Sequence, residues 1–288
     1  MTAPLHASPL RFDAQAIAEH NAQSPSEHFA PPFFHDERGF TLYQGDSLRL
    51  LEMMEPEQFD LIFADPPYFL SNGGVTCKGG RMVSVNKGKW DRSRGVEENH
   101  AFNLRWLEAC QRLLKPNGSL WVTGTHHVIF SLGFAMQTLG FKILNDISWF
   151  KVNPPPNLSC RYFTHSTETM IWAARDQDSK HTFNYKVMKE MNDNKQMKSM
   201  WSIMAPRKKE KLHGRHPTQK PMELLRRVVL AASNEGDLIL DPFNGSGTTG
   251  LAALESQRRY VGIDASQEYL QLTQRRFEAL LDGVEKDA

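Results

Sequence analysis

Asp237-Leu-Ile-Leu-Asp-Pro-Phe-Asn-Gly-Ser-Gly-Thr-Thr-Gly250 decides the fold. An apolar run of strand length (237–240) meets a turn containing Gly245 and Gly247, and a helix is predicted over 247–254. Glycines between a strand and a helix permit a tight turn and a close approach of backbone to ligand. A phosphate-binding P-loop needs a lysine after its glycines, whereas Gly247 is followed by Thr248 and Thr249. A nucleotide hydrolase is therefore disfavoured. An ordinary structural turn would look the same in isolation. The next apolar run, 260–263, ends at Asp264, 23 residues beyond Asp241. An acid there accepts hydrogen bonds from a ribose diol, or complements the positive end of the following helix, predicted over 266–281. Together the two features point to an adenosine-containing ligand.

Working outward, the same alternation recurs. Residues 1–38 lack periodicity, hold five prolines and read as an N-terminal arm with one short helix around 14–20. Strands are predicted at 40–45, 59–64, 120–122, 141–151 and 170–174, and helices at 48–54, 102–113, 128–139 and 224–232. A turn is expected at Pro116-Asn117-Gly118. Two prolines in series cannot continue a central strand, so Pro66 and Pro67 stop the one before them. The pattern predicts an α/β fold with helices on both faces of the sheet. The divisions are the arm 1–38, a first half 39–174, a small polar, basic module 175–215 and a second half 216–288. The module's methionines (Met188, Met191, Met197, Met200 and Met204) read as a modest core.

Of the 288 residues 40% are hydrophobic, and no apolar run is long enough for a membrane span. No secretory leader is evident. Three cysteines, Cys77, Cys110 and Cys160, form no disulfide framework and no metal-spaced set, so no metal is expected. A cytoplasmic setting fits. The net charge of +1 hides an uneven distribution. Residues 71–95 hold six Lys/Arg and one acid, and residues 180–216 hold ten Lys/Arg and three acids, on an otherwise acidic body. That is a polyanion footprint or a pair of solvated loops.

In open α/β sheets ligands bind at the carboxyl ends of the strands. Asp46, at the end of the first predicted strand, either approaches the ligand's adenine or caps the next helix. The tetrapeptide Asp65-Pro66-Pro67-Tyr68 is the most chemical of the strand ends. A carboxylate there accepts a hydrogen from an amine. The Pro66 carbonyl offers a second acceptor, because prolines leave carbonyls without a local N–H partner. Tyr68 offers a flat face for a base. The set suits an exocyclic amino group on an aromatic ring.

Here the chain resembles the β-group amino-methyltransferases that modify DNA from S-adenosyl-L-methionine (AdoMet), from about Tyr43 to Phe277. Asp65 to Tyr68 matches the family's catalytic tetrapeptide, and Phe243-Asn-Gly-Ser-Gly247 its AdoMet loop. Asp264 matches its acidic ribose ligand. His216-Pro-Thr-Gln-Lys-Pro221 matches the segment before the methionine-side helix. The catalytic motif precedes the AdoMet motif, the circularly permuted order of the β group. The stretches Phe69-Leu-Ser-Asn-Gly-Gly74, Ser84-Val-Asn-Lys-Gly88, 157–165 and 218–221 resemble the adenine-specific GATC branch of restriction–modification enzymes.

The resemblance implies a Rossmann-like AdoMet-dependent methyltransferase fold with a seven-stranded mixed sheet. It brings the Asp241 strand beside the Asp65 strand. Asp46, Asp241, Phe243, Gly245, Gly247, Asp264 and Lys220 are then the cofactor-side residues; Lys220 reaches the cofactor's carboxylate or closes a turn. Lys87, Lys89, Arg207, Lys208, Lys209, Lys211 and Arg215 would neutralise DNA phosphates. The target base must leave the stack, and Phe69 either closes its pocket or packs in the core. The expected product is N6-methyladenine. Cytosine-N4 enzymes of this fold usually carry Ser where Asp65 stands, and a non-catalytic DNA-binding subunit is a further alternative. A cognate restriction endonuclease without direct contact is implied. The oligomeric state is left open, a homodimer included.

Overall fold

The computed structural model describes residues 10–23, 31–71, 75–78, 81–84 and 91–287. Along these run α1 (Ala14–Gln23), β1 (Phe34–Asp36), β2 (Phe40–Gln44), α2 (Ser47–Met53) and β3 (Phe59–Ala64). A hairpin of β4 (Val75–Lys78) and β5 (Arg81–Ser84) precedes α3 (Val96–Leu113), β6 (Leu114–Gly124) and α4 (Ile129–Thr138). Next come β7 (Lys142–Phe150), β8 (Thr167–Ala174), α5 (Tyr185–Glu190) and β9 (Met200–Ser202). The chain ends in α6 (Met222–Ala232), β10 (Leu238–Asp241), α7 (Thr248–Glu255), β11 (Arg259–Asp264) and α8 (Gln267–Asp287).

The main sheet has nine strands, in the order β1-β2-β11-β10-β3-β6-β8-β7-β9. The seven-stranded expectation is thus corrected. The additions are the two edges, β1 antiparallel to β2 and β9 parallel to β7. Each is three residues long, too short to show a period in the sequence. Only β1 and β8 run against the other strands. The sheet is mixed, as expected, and β10 lies parallel beside β3, pairing Ile239 with Leu61 and Leu240 with Ile62. The turn expected at 116–118 falls inside β6. There the register jumps from Phe59–Leu114 to Leu61–Ser119, so these residues bulge out of the ladder.

The sheet separates two cores. Phe59, Ile62 and Ala64 of β3 face α2, α3 and α4, with Trp106, Leu107 and Leu132 among the buried residues. Leu61 and Phe63 face α6, α7 and α8. On α3, Asn103, Trp106, Leu107, Cys110 and Leu113 are buried at three- to four-residue spacing. Each large apolar side chain fully buried there contributes roughly 1.5–3 kcal/mol. The N-terminal arm docks on the first core through Phe12, whose ring meets Tyr43 edge-on at 5.5 Å.

Segment 175–215 is stitched into the second core. Trp201 of β9 lies 5.9 Å from Trp121, and Ile203 is buried. Asn184 donates to the carbonyls of Leu230 and Ser233 at the end of α6. Of its methionines Met188 is buried and Met197 packs against the core, whereas Met191, Met200 and Met204 are exposed. The expected methionine core is therefore only two residues deep.

Strand direction positions the site. β2, β3, β6, β7, β9, β10 and β11 all end at one edge. The segments that begin at Gly45, Asp65, Thr125, Lys151, Ile203, Pro242 and Ala265 consequently emerge side by side.

Candidate active site

A cleft of about 310 Å3 opens at this edge, lined by Asp65, Pro66, Pro67 and Tyr68 on one side and by Asp241, Phe243, Gly245 and Asp264 on another. Its size suits a small-molecule site.

Asp65 is the first residue beyond β3. Its Oδ1 accepts hydrogen bonds from Tyr68 Oη at 2.7 Å and Thr123 Oγ1 at 2.6 Å. Its Oδ2 accepts from Lys220 Nζ at 2.5 Å. Burial pushes the Asp65 carboxyl up, but the Lys220 ammonium and these hydrogen bonds outweigh it and hold the group below its ordinary value. Burial likewise opposes the charge on Lys220, and Asp65 with Glu168 more than restores it. Tyr68 stays a phenol, because burial and the neighbouring carboxylates push its ionisation far up. The Lys220 ammonium also lies 5.4 Å from the centre of the Tyr68 ring.

The loop after Asp65 is fastened by Asp91, which is fully buried. Its carboxylate accepts from the backbone N–H groups of Tyr68 and Leu70 at 3.1 and 3.2 Å and from Ser71 Oγ at 2.8 Å. Phe69 has a φ of 57° and packs edge-on against Phe102, the core alternative of its sequence reading.

Across the cleft, Gly245 and Gly247 have φ of 51° and 72°, a region that favours glycine. A Cβ on Gly247 would meet Thr273 Cγ2 at 2.2 Å, so the turn is closed to any other residue. Asp264 accepts from the N–H of Gly245 through one oxygen and of Ser266 through the other, both at 2.8 Å. It thus ties the turn to the start of α8, and each oxygen keeps a lone pair for a further donor. Burial pushes its carboxyl up to about 6 and that of Asp241 up to about 7. Asp241 accepts from Thr249 Oγ1 and the Phe243 N–H, inside the fold. Phe243 packs edge-on against Trp106. Asp46 caps α2 by accepting from the Arg49 N–H and also lines the cleft, so both of its readings are compatible with its position.

Lys220 does not simply close a turn: its ammonium is on Asp65, 155 residues away in sequence. Arg207, Lys208, Lys209 and Arg215 are exposed and Lys211 is half-buried, around a 3-10 turn over Lys208–Lys211. That turn is tied to the cleft. The Glu210 carbonyl accepts from Gln219 Nε2, and its carboxylate accepts from the Met222 N–H. Lys87 and Lys89 lie outside the described residues. Sequence reasoning missed Asp91, Thr123 and Glu168. Among the described residues no group of three or more His, Cys, Asp or Glu is placed to hold a metal ion, and no helix is long and apolar enough to cross a membrane.

The glycine turn, the spare lone pairs of Asp264 and the apolar Phe243 and Ile263 beside them fit AdoMet: a close-approach backbone, a diol acceptor and flat apolar contact. Replacing Asp264 by Ala removes a charged acceptor worth roughly 1.5–3 kcal/mol. We expect AdoMet affinity to fall roughly 10- to 150-fold, with DNA affinity little changed. Calorimetric titration with AdoMet, beside a fluorescence titration with DNA, checks this; an unaltered AdoMet affinity rejects the ribose role.

Comparison with known proteins agrees. Residues 59–275 match the N6/N4 methyltransferase family model, described as DNA methylase. The Type II methyltransferase M2.DpnII of Streptococcus pneumoniae is 53% identical over 247 residues, 85% of this chain and 92% of that protein. M2.MboI of Moraxella bovis is 47% identical over 250 residues, 87% of this chain and 92% of that protein. Among solved structures, the M1.HpyAVI–SAM complex superposes with a TM-score of 0.62 at 26% identity, over 82% of this chain and 98% of that one. The cytosine-N4-specific PvuII DNA methyltransferase superposes with a TM-score of 0.65 over 85% of this chain and 90% of that one; at 21% identity it speaks to the fold alone. The chain belongs to the N6/N4 DNA methylase family and is a site-specific DNA methyltransferase whose methyl donor is S-adenosyl-L-methionine.

Proposed function

We propose that the chain methylates the N6 of adenine within GATC, by direct transfer to a base turned out of the DNA helix. The observation that carries this reading is the Asp65 carboxylate in one cleft with the Gly245–Gly247 turn and Asp264, at the ends of the neighbouring strands β3, β10 and β11. AdoMet, when bound, supplies an electrophilic methyl group.

The chain's own residues supply alignment. An adenine amine is a poor nucleophile because its lone pair is shared with the ring. Asp65 and the Pro66 carbonyl accept its two hydrogens and draw the nitrogen towards tetrahedral geometry. The preorganised acceptors then stabilise the positive charge that develops there. Asp91 keeps the loop that carries Pro66 to Tyr68 in place. Neither cysteine with a described side chain has a part in this: Cys110 is buried, with its thiol pushed far up by burial, and Cys160 is exposed on the 151–166 loop.

Adenine is favoured over cytosine because Asp65 stands where the cytosine-N4 group usually has Ser. GATC is favoured by the segments 69–74, 84–88, 157–165 and 218–221, which resemble that branch. Nucleoside analysis of methylated DNA, with oligonucleotides carrying GATC and each single-base variant, tests both parts. N4-methylcytosine as product rejects the first. Equal rates on GATC and its variants reject the second, because a mismatched pair ordinarily costs a specific reader roughly 1–3 kcal/mol.

DNA lies along the basic rim of the cleft. Neutralising Lys208, Lys209 and Lys211 together is expected to weaken DNA binding and to lower the log–log salt slope by roughly 0.7–0.9 per lost phosphate contact. A binding series across salt concentrations reads the slope, and an unaltered slope removes these lysines from the DNA surface. We place the enzyme in the cytoplasm, beside a cognate restriction endonuclease that it need not touch.

A further inference from the structure

Glu168, the second residue of β8, is buried, and its two oxygens are treated differently. Oε1 accepts from Lys151 Nζ at the end of β7. Oε2 accepts no hydrogen bond from the described residues and lies 3.7 Å from Lys220 Nζ. A buried carboxylate oxygen left without a donor is costly, and such atoms in a native site call for a reason. Lys220 therefore stands between two carboxylates, bonded to Asp65 at 2.5 Å and held by Glu168 only as a longer ion pair.

The arrangement conflicts with what the target amine needs. Asp65 Oδ1 is filled by Tyr68 and Thr123, so Oδ2 is the oxygen with room for an incoming N–H, and Lys220 is already on it. An ammonium there also cancels the negative field that should act on a nitrogen gaining positive charge. A shift of about 1 Å towards Glu168 would bring Lys220 within ordinary hydrogen-bond distance of Oε2 and release Oδ2.

We propose that Glu168 is a positioning residue for methyl transfer: it receives the Lys220 ammonium as the target amine engages Asp65. Resting on the functional reading above, this adds a residue outside every motif used there. Lys151 holds Glu168 in place. No bond is made or broken in the shift; one ammonium exchanges one carboxylate partner for another.

The test is single-turnover methylation of DNA adenine by the full chain at saturating AdoMet. Glu168→Gln should lower the rate constant on the order of 30-fold, less than the ~10²-fold of a group misplaced by 1 Å. Dissociation constants for AdoMet and DNA should stay within twofold. Glu168→Asp, which keeps the charge, should recover most of the loss. In a Lys220→Met background, Glu168→Gln should have no further effect, because residues acting through one partner are not additive. A Glu168→Gln rate within twofold of wild type overturns the proposal. So does a loss in the double variant equal to the product of the single losses, or an Asp variant as slow as the Gln variant. Failure of the wild-type chain to methylate adenine overturns the functional reading itself, and the proposal with it.

Discussion

Replacing Asp65 by Ala is expected to lower the single-turnover rate of methyl transfer by on the order of 10²–10³-fold, the cost of losing one preorganised group that meets developing charge. AdoMet affinity should stay within threefold, because the glycine turn after β10 and Asp264 at the end of β11 bond each other and not Asp65. The substitution also strips a buried ammonium of its short partner. Removing one member of a buried pair ordinarily costs about 3–5 kcal/mol. Here Glu168 remains 3.7 Å from Lys220 and offsets part of that loss. Asp65→Asn is the isosteric companion. Its amide oxygen still accepts from Thr123 and Tyr68, but its NH2 stands where an oxygen accepted from the Lys220 ammonium, so Lys220 is left to Glu168 in this variant too. Both variants should lose turnover and some melting temperature. Rapid-quench methylation beside thermal melting checks the pair. Either variant turning over within threefold of wild type would remove Asp65 from the chemistry.

Why Asp65 was legible in the sequence, and its partners were not, is a matter of range. An apolar run followed by Pro-Pro marks a strand end from neighbouring residues alone, and so does a strand followed by glycines that need positive φ. The alternation around them set the fold class. Asp264 and Gly247 follow from the same local logic. β1 and β9 do not: three residues leave no period, and their place in the sheet is fixed by pairing with Phe40–Leu42 and Ser148–Phe150. Asp91, Thr123 and Glu168 act on residues 23, 58 and 52 positions away, counting Tyr68, Asp65 and Lys220 as their partners. Weak signals existed. Asp91 is the only acid in the first basic segment, and Glu168 is a charge at the head of the apolar run 170–174. Neither signal says what the carboxylate faces. The sequence around Lys220 suits a cofactor carboxylate or a turn, and nothing in it points to Asp65.

That ion pair makes the pH dependence of the reaction a sharp test. Asp65 faces Lys220, Tyr68 and Asp241, with Glu168 on the far side of Lys220. In the wild type its carboxyl is held below the ordinary value, so it stays ionised from neutral into mildly acidic pH. Lys220→Met deletes the one cation of the set. Burial, the largest influence on Asp65, then acts with only the Thr123 and Tyr68 hydrogen bonds against it, and the charge of Asp241 pushes the same way. The carboxyl moves above its ordinary value. A protonated Asp65 is not the acceptor that the amine requires, so activity is lost as pH falls through the raised value. Below it the rate should drop about tenfold per pH unit. Asp264, near 6, and Asp241, near 7, titrate in the same window. They are common to both proteins, so the ratio of wild-type to variant rate at saturating AdoMet largely removes them. That ratio should be constant at high pH and grow as pH falls through the raised value. A constant ratio would mean that Lys220 does not set the ionisation of Asp65, and that their 2.5 Å contact is structural only.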